Sequence, residues 1–467
     1  MRYTSTRGTA PELAFDEVLL AGLAPDGGLY VPAAWPRLSN GEMGAFAGLA
    51  YAELAARVMA PFVGERVAPT ELLRIARESY AGFAHPAIAP LKQLDHDLWL
   101  LELFHGPTLA FKDHALQMVG RLFDLVLRRR GQRLVLVGAT SGDTGSAAIE
   151  ACRGLGAVDI FILHPRGRIS EVQRRLMTTV DAANVHNIAL DGTFDDCQDV
   201  VKALFSNARL REELRLGAVN SINWARIAAQ SVYYVLAALA LGAPARPVSF
   251  AVPTGNFGNV YAGYVAERLG LPIGRLVVAS NSNDILTRFL DNGVMEIRTV
   301  VPTLSPSMDI QVSSNFERLL FDLYDRDGPR VAADMARLRR ERRLAVDGKA
   351  LARTRRLFSG FRLDDEGTRR AIKDAHDATG ELLDPHGAVG LAAARAARCG
   401  AGPMVAIATA HPAEFPDAVG AAPGIRPALP ARLADLFERP ERVVSLPNDL
   451  AAIEAFIRAR VGLRGAA

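Results

Sequence analysis

The chain is expected to fold as an α/β protein, with two α/β domains built on mostly parallel sheets and a helical domain at its N-terminus. Three observations predict this. From Leu98 onward short β-rich runs (RLVLVGA, VDIFILHP, VHNIALDG, PVSFAVPTG, RLVVASN and PMVAIATA) are each followed by a helix-compatible stretch, the signature of a largely parallel sheet. These runs fall on either side of one long segment, NSINWARIAAQSVYYVLAALAL, which suggests two sheets rather than one. A chain of 467 residues also exceeds what one hydrophobic core usually organises.

Taken in order, residues 1–92 read as a mainly helical domain that begins with the turn-forming PDGGLYVP and continues into Ala-rich helical pattern. The apolar stretch from Ala45 carries Glu53 and Arg57 at helical spacing, so it is an amphipathic helix with one wet face. Residues 93–240 form the first α/β domain and residues 241–430 the second, with 431–467 as a C-terminal extension. The apolar run from Ser231 is shorter than the roughly 20 residues a bilayer requires, and it reads as a core helix. The Arg-rich run from Ala336, ARLRRERRLAVDGKALARTRR, reads as a solvated helix face.

Composition excludes several classes. With 49% apolar and 22% charged residues and a net charge of +3 without long basic blocks, the chain has no electrostatic footprint for nucleic acid or an anionic membrane. The start, MRYTSTRGTAPELAFDE, lacks the apolar region of a secretory signal, so no export is expected. Three scattered cysteines, Cys152, Cys197 and Cys399, make no disulfide framework, which fits a reducing cytoplasm. His105, His114, His386 and His411 show no metal-ligand spacing, and no metal is expected.

Lysine usage singles out one residue. The chain has only five lysines, Lys92, Lys112, Lys202, Lys349 and Lys373, although Lys and Arg together number 54. Sites that merely need a cation have therefore been given to arginine. Lys112, in FHGPTLAFKDHA, has Leu109, Ala110 and Phe111 beside it. An amine in apolar surroundings sheds its proton and forms a Schiff base with a carbonyl, which a guanidinium does not do. A solvated lysine beside an aromatic is the plainer alternative.

Two glycine-rich turns stand where α/β proteins bind anions. In PVSFAVPTGNFGNVYAGYVAERLG the residues Gly255, Asn256, Phe257, Gly258 and Asn259 lead from a strand into a helix, aiming free N–H groups at one point. A helix N-terminus favours negative charge by roughly 0.3–1 kcal/mol, which suits a phosphate. No Lys-Ser/Thr follows, so this is not a Walker loop. The earlier turn, GATSGDTGSAAIEA, matches a dinucleotide fingerprint loosely, with Thr140 in place of the first glycine. Its Ser141, Gly142, Asp143, Thr144 and Gly145 would suit the carboxylate of an amino-acid substrate.

A Schiff-base lysine, a phosphate cup and a carboxylate loop together describe a pyridoxal phosphate enzyme. The chain resembles the threonine synthase family of fold-type-II pyridoxal phosphate enzymes, nearly end to end. The resemblance rests on MRYTSTRG, DGGLYVP, FHGPTLAFKD, ATSGDTGSAA, LHPRGRIS, GTFDDCQ, NSINWARIAAQ, VPTGNFGN, SNSNDILTRF, SPSMDIQVSSNFER and TAHPAEFPDAV. NSINWARI and SPSMDI separate this family from the dehydratases and from tryptophan synthase β chains.

The resemblance implies that Lys112 carries pyridoxal 5'-phosphate, that Gly255–Asn259 cup its phosphate and that Thr409 faces the pyridine nitrogen. It also implies the reaction of O-phospho-L-homoserine with water to give L-threonine and phosphate, the last step of threonine biosynthesis. Arg166, Arg168, Arg226 and Arg288 are open candidates for the substrate phosphate, although a structural ion pair is the commoner fate of an arginine. Asp284 and Asp309 either orient groups in the site or cap helices.

Two positions depart from the family pattern. Glu414 stands where AHPAKF is usual, and Gly387 where DPHTAVG is usual. Glu414 weakens attraction of an anionic substrate if that lysine assists it, and has no consequence if the position is on the surface. Other readings of the same residues are another fold-type-II lyase or dehydratase, a nucleotide-binding dehydrogenase built on GATSGDTG, and a noncatalytic protein on the same scaffold. The last two leave Lys112 unexplained. The resemblance also implies that the domains exchange segments along the chain, as fold-type-II domains do.

Overall fold

The computed structural model describes residues 1–218, 222–398, 400 and 402–465. Cys399, and Asn220 and Ser221 of the NSINWARI block, lie outside the described residues. The chain forms two compact units that interleave along the sequence. One comprises Met1–Gly106 with Ser221–Pro427, the other Pro107–Asn220 with Ala428–Ala467. This partition groups residues by packing, whereas the four-part division read from the sequence follows functional stretches.

The larger unit is built on a six-stranded sheet in the order Phe358–Arg362, Ile273–Ser280, Val248–Pro253, Met404–Ala408, Leu98–Glu102 and Leu91–Gln93. All neighbours are parallel except the last pair, a short antiparallel edge. The central strands are apolar along their length because helices cover both faces. One face packs Leu98, Leu100, Ala251, Val277, Ala279 and Ala406 against the helix Pro385–Ala397 through Val389 and Leu391. The helix Trp224–Ala240 is buried almost all round, as its unbroken apolar sequence requires, and Trp224 meets Phe62 of the amphipathic helix Tyr51–Val63 with ring centroids 5.7 Å apart. The N-terminal segment also carries a small antiparallel sheet, Leu13–Ala14, Arg2–Ser5 and Tyr30–Pro32.

The smaller unit has a five-stranded parallel sheet in the order Val444–Leu446, Val185–Leu190, Val158–Pro165, Leu134–Ala139 and Leu216–Ala218. Alternate residues Val135, Val137, Phe161, Leu163, Ile188 and Leu190 share one face, as the two-residue period of a strand dictates. There they meet Cys197 and Leu204 of the helix Phe194–Ser206 and Ile453 and Ile457 of the C-terminal helix. On the other side the helices Lys112–Arg129 and Asp143–Cys152 cross at Gly120, where a Cβ would stand 2.4 Å from the carbonyl oxygen of Ala151. Only glycine permits that approach.

The six strand runs read from the sequence are all strands. The Arg-rich run differs from the single helix expected. A helix Gly328–Glu341 ends at Arg342, which adopts a left-handed conformation at φ 55°. The chain then forms the strand Arg343–Ala345, paired antiparallel with Val294–Glu296, before the helix Gly348–Arg355. Leu344 is buried by that pairing, so a strand interrupts the helical charge pattern. No described helix is long and apolar enough to cross a membrane.

Candidate active site

In the smaller unit Lys112 opens the helix Lys112–Arg129 and is only 8% exposed. The turn before it is strained: Leu109 adopts φ 66°, which a branched side chain avoids. Two features hold it there. The Leu109 side chain is locked among Val172, Leu176, Leu433 and Leu436. Asp113, one residue beyond the lysine, reaches back to accept the Thr108 N–H at 2.8 Å and the Thr108 hydroxyl at 2.7 Å. Burial pushes the Asp113 carboxyl up to about 7, against the opposing effect of those two bonds.

The Lys112 amine donates to Asp143 Oδ2 at 2.6 Å, in a pair that is almost wholly buried. Asp143 is the first residue of the helix Asp143–Cys152, and its other carboxylate oxygen accepts from Gln173 Nε2. Gly142 precedes it at φ 147°, pressed so close to Gln173 that a Cβ would stand 2.3 Å from Oε1. The Gly120 crossing brings the two helix starts together. Lys112 and Asp143 stand in separate sequence motifs, and the structure joins them.

The remainder of the carboxylate loop is narrowed by Thr140. Its Oγ1 accepts the N–H groups of Gly142 at 3.0 Å and Gly145 at 2.9 Å, so these two amides serve the turn itself. Asp143 is committed to a cation, and its charge would repel a second carboxylate. Ser141, which is exposed, and Thr144, which is half-buried, remain as the loop's outward polar side chains.

In the larger unit the strand Val248–Pro253 leads through Gly255–Phe257 into the helix Gly258–Leu269. Phe257, the residue before the helix, takes φ 62°, and its buried ring is fixed by Phe316 and Phe358 at 5.2 and 5.7 Å. A Cβ on Gly255 would lie 2.5 Å from the Ser307 carbonyl oxygen. Asn259 Oδ1 accepts from the hydroxyls of Tyr233 at 2.7 Å and Tyr234 at 2.9 Å, while its buried Nδ2 has no partner. An unpaired buried donor beside first-turn N–H groups, which have no helical acceptors, fits a cofactor phosphate. Thr409 follows the strand Met404–Ala408 and is 6% exposed.

The other candidates separate by burial and partners. Arg166 pairs with Asp191 on the surface, and Arg168 is exposed. Arg288 is held by Asp284, which also binds Arg362, so Asp284 stabilises structure rather than capping its helix. Arg226 is buried on the helix Trp224–Ala240, and desolvation lowers its guanidinium to about 10. Asp309 is consumed by Asn281, Asn283 and Thr303. His105 binds Glu102, His386 binds Asp384, and the His411 side chain accepts the Ala413 N–H.

Asp95, His96 and Asp97 bring three potential ligand atoms together in an exposed turn, where Arg398 pairs with both carboxylates.

The two departures now have places. Glu414 is fully buried, which removes the reading of that position as a surface residue. Gly387 lies in the first turn of Pro385–Ala397, its N–H bonded to Asp384 at 2.8 Å, and a Cβ there would stand 3.6 Å from Ala408 Cα, next to Thr409.

Family models match most of the chain. The threonine synthase N terminus matches residues 2–80, the pyridoxal-phosphate dependent enzymes match 66–352, and the threonine synthase C-terminal family matches 387–457. The chain is 56% identical over 459 residues to threonine synthase of Pseudomonas aeruginosa, covering 98% of each. Among solved structures it matches pyridoxal-phosphate-bound threonine synthase from Brucella melitensis with a TM-score of 0.97 and 51% identity, over 98% of this chain and 99% of that one. Threonine synthase from yeast matches with a TM-score of 0.94 and 38% identity, over 99% of both. With its α/β sheets and its glycine-rich turns, the chain belongs to the threonine synthase family of fold-type-II pyridoxal-phosphate-dependent enzymes.

Proposed function

We propose that the protein converts O-phospho-L-homoserine and water into L-threonine and phosphate, with Lys112 as both cofactor anchor and proton carrier. The observation that carries this reading is the buried Lys112 amine facing Asp143 at 2.6 Å, just after a turn in which Leu109 takes φ 66°. Pyridoxal 5'-phosphate, when bound, supplies the carbonyl for the amines and a ring that takes up the electrons left at Cα.

The chain's own residues divide the remaining work. Lys112 would hold the cofactor and, as an amine at the helix start, would act as the positioned general base for the Cα proton. Asp143 then accepts a hydrogen bond from the resulting ammonium, which keeps the proton at Nζ available for return. Gly255, Asn256, Phe257, Gly258 and Asn259 would hold the cofactor phosphate through backbone N–H groups and the unpaired Asn259 Nδ2. Thr409 offers the pyridine nitrogen a neutral hydroxyl, which does not fix a positive charge on the ring as a carboxylate would. Ser141 and Thr144, with the amides of the Ser141–Gly145 loop that Thr140 does not use, take the substrate carboxylate. The buried thiols of Cys152 and Cys197 are free, in keeping with work in a reducing cytoplasm.

The deciding experiment is phosphate release from O-phospho-L-homoserine by the purified protein with pyridoxal 5'-phosphate, with threonine identified in the same sample. Both products together are expected. A yellow protein that borohydride fixes to its cofactor at Lys112, yet that yields no threonine, overturns the substrate and leaves the cofactor reading standing.

A further inference from the structure

The Gly255–Asn259 turn does not hold its own shape. Ser313 Oγ donates to the carbonyl of Gly255. Asn315 donates twice to the carbonyl of Asn256, from Nδ2 at 2.9 Å and from its backbone N–H at 3.2 Å. A trans peptide points its C=O and the following N–H in opposite directions. Holding these two carbonyls on the side of residues 313–315 therefore turns the N–H groups of Asn256 and Phe257 to the opposite side. With Phe257 left-handed, those amides run on into the first-turn donors of the helix Gly258–Leu269 and form one concave row, the geometry of an anion nest.

The clamp is itself fastened at both ends. Asp309 Oδ1 accepts from Asn281 Nδ2 at 2.8 Å, Asn283 Nδ2 at 3.0 Å and the Thr303 hydroxyl at 2.7 Å, and Oδ2 accepts the Thr303 N–H at 2.9 Å. This knot fixes the turn Pro306–Met308, whose Ser307 carbonyl fills the space a Gly255 side chain would need. At the other end the fully buried Arg318 donates to Asn315 Oδ1 and to the Tyr30 carbonyl at 3.1 Å, so the Asn315 amide has one orientation, with Nδ2 toward the cup.

We infer that Ser313 and Asn315 are positioning residues that make this cup selective for a phosphate-bearing cofactor, with Asp309 and Arg318 holding them in place. They act through the backbone amides of Asn256 and Phe257 rather than by touching the phosphate. The inference rests on the cofactor reading above and adds to it which residues outside the glycine turn set its affinity.

The test uses Ser313→Ala, which removes only a hydroxyl, and Asn315→Asp, which keeps an acceptor for Arg318 while removing the side-chain donor to Asn256 and leaving the backbone one. Cofactor-free protein is titrated with pyridoxal 5'-phosphate and, separately, with pyridoxal, which offers the same carbonyl to Lys112 without the phosphate. Each variant is expected to weaken pyridoxal 5'-phosphate by about tenfold and pyridoxal by less than about twofold, in line with the loss of one oriented hydrogen bond. Unaltered affinity for pyridoxal 5'-phosphate in Ser313→Ala, or equal weakening of both aldehydes in the variants, overturns the inference. A parent protein that binds neither aldehyde overturns the cofactor reading and the inference with it.

Discussion

Asp113 makes the stability of the smaller unit depend on pH in an unusual direction. Its carboxyl is fully buried, and burial raises it from 3.8 to about 7, with Glu150 adding to the rise and Thr108 and Arg432 opposing it. A raised carboxyl holds a proton in the folded state that the unfolded chain has already lost. Stability therefore falls as pH climbs through this window, and the loss is complete above about 7. At about 1.4 kcal/mol per pH unit the full window amounts to roughly 4 kcal/mol. Asp113→Asn removes the titration while keeping both contacts, since an amide oxygen accepts the Thr108 N–H and the amide nitrogen donates to its hydroxyl. Urea unfolding followed by circular dichroism, on parent and variant at about pH 5 and about pH 8, isolates the effect. The advantage of Asp113→Asn over the parent is expected to grow by about 2–3 kcal/mol between the two conditions. If parent and variant change in parallel, the buried carboxyl does not titrate in this range and the reasoning fails.

Three further outcomes follow from the geometry. Lys112→Ala and Lys112→Arg both abolish phosphate release, because one lacks the amine and the other replaces it with a group that stays charged; appreciable turnover by either variant removes Lys112 from the chemistry. Gly255→Ala forces a Cβ to 2.5 Å from the Ser307 carbonyl, a strain of about 1–3 kcal/mol, and titration of the cofactor-free protein should show pyridoxal 5'-phosphate bound at least about fivefold more weakly. Gly120→Ala meets the Ala151 carbonyl at 2.4 Å and should lower the melting temperature of the cofactor-free protein by a few degrees, for a cost of about 1–3 kcal/mol, with an unchanged Tm as the contrary result.

The strand runs and the glycine turns were readable because each is set by local chemistry: β-branched stretches between turn residues, and glycine where a backbone must approach closely. The Lys112–Asp143 pair was not readable, since it depends on two helices crossing at Gly120, and spacing along a chain carries no record of such a crossing. Ser313 and Asn315 lay in a recognised block, yet nothing local to VSSNFER says that its side chains bond to Gly255 and Asn256. The Arg-rich run misled because charge spacing alone does not register the buried Leu344, whose strand pairing overrides the helical period. Glu414 shows the converse, a charged residue in a polar-looking turn that packing buries completely.

The order of strands in the two sheets also governs how the chain folds. Leu98–Glu102 pairs with Met404–Ala408, and Val185–Leu190 pairs with Val444–Leu446, so neither sheet is complete until nearly the whole polypeptide is available. Contacts this distant in sequence form slowly, and during synthesis the early strands wait with unpaired edges. For Val185–Leu190 that exposed edge is a row of unpaired backbone groups of the kind that templates aggregation. Removal of the chain from Val444 onward would make the waiting state permanent, which places the last two dozen or so residues in charge of solubility even though they carry none of the proposed chemistry.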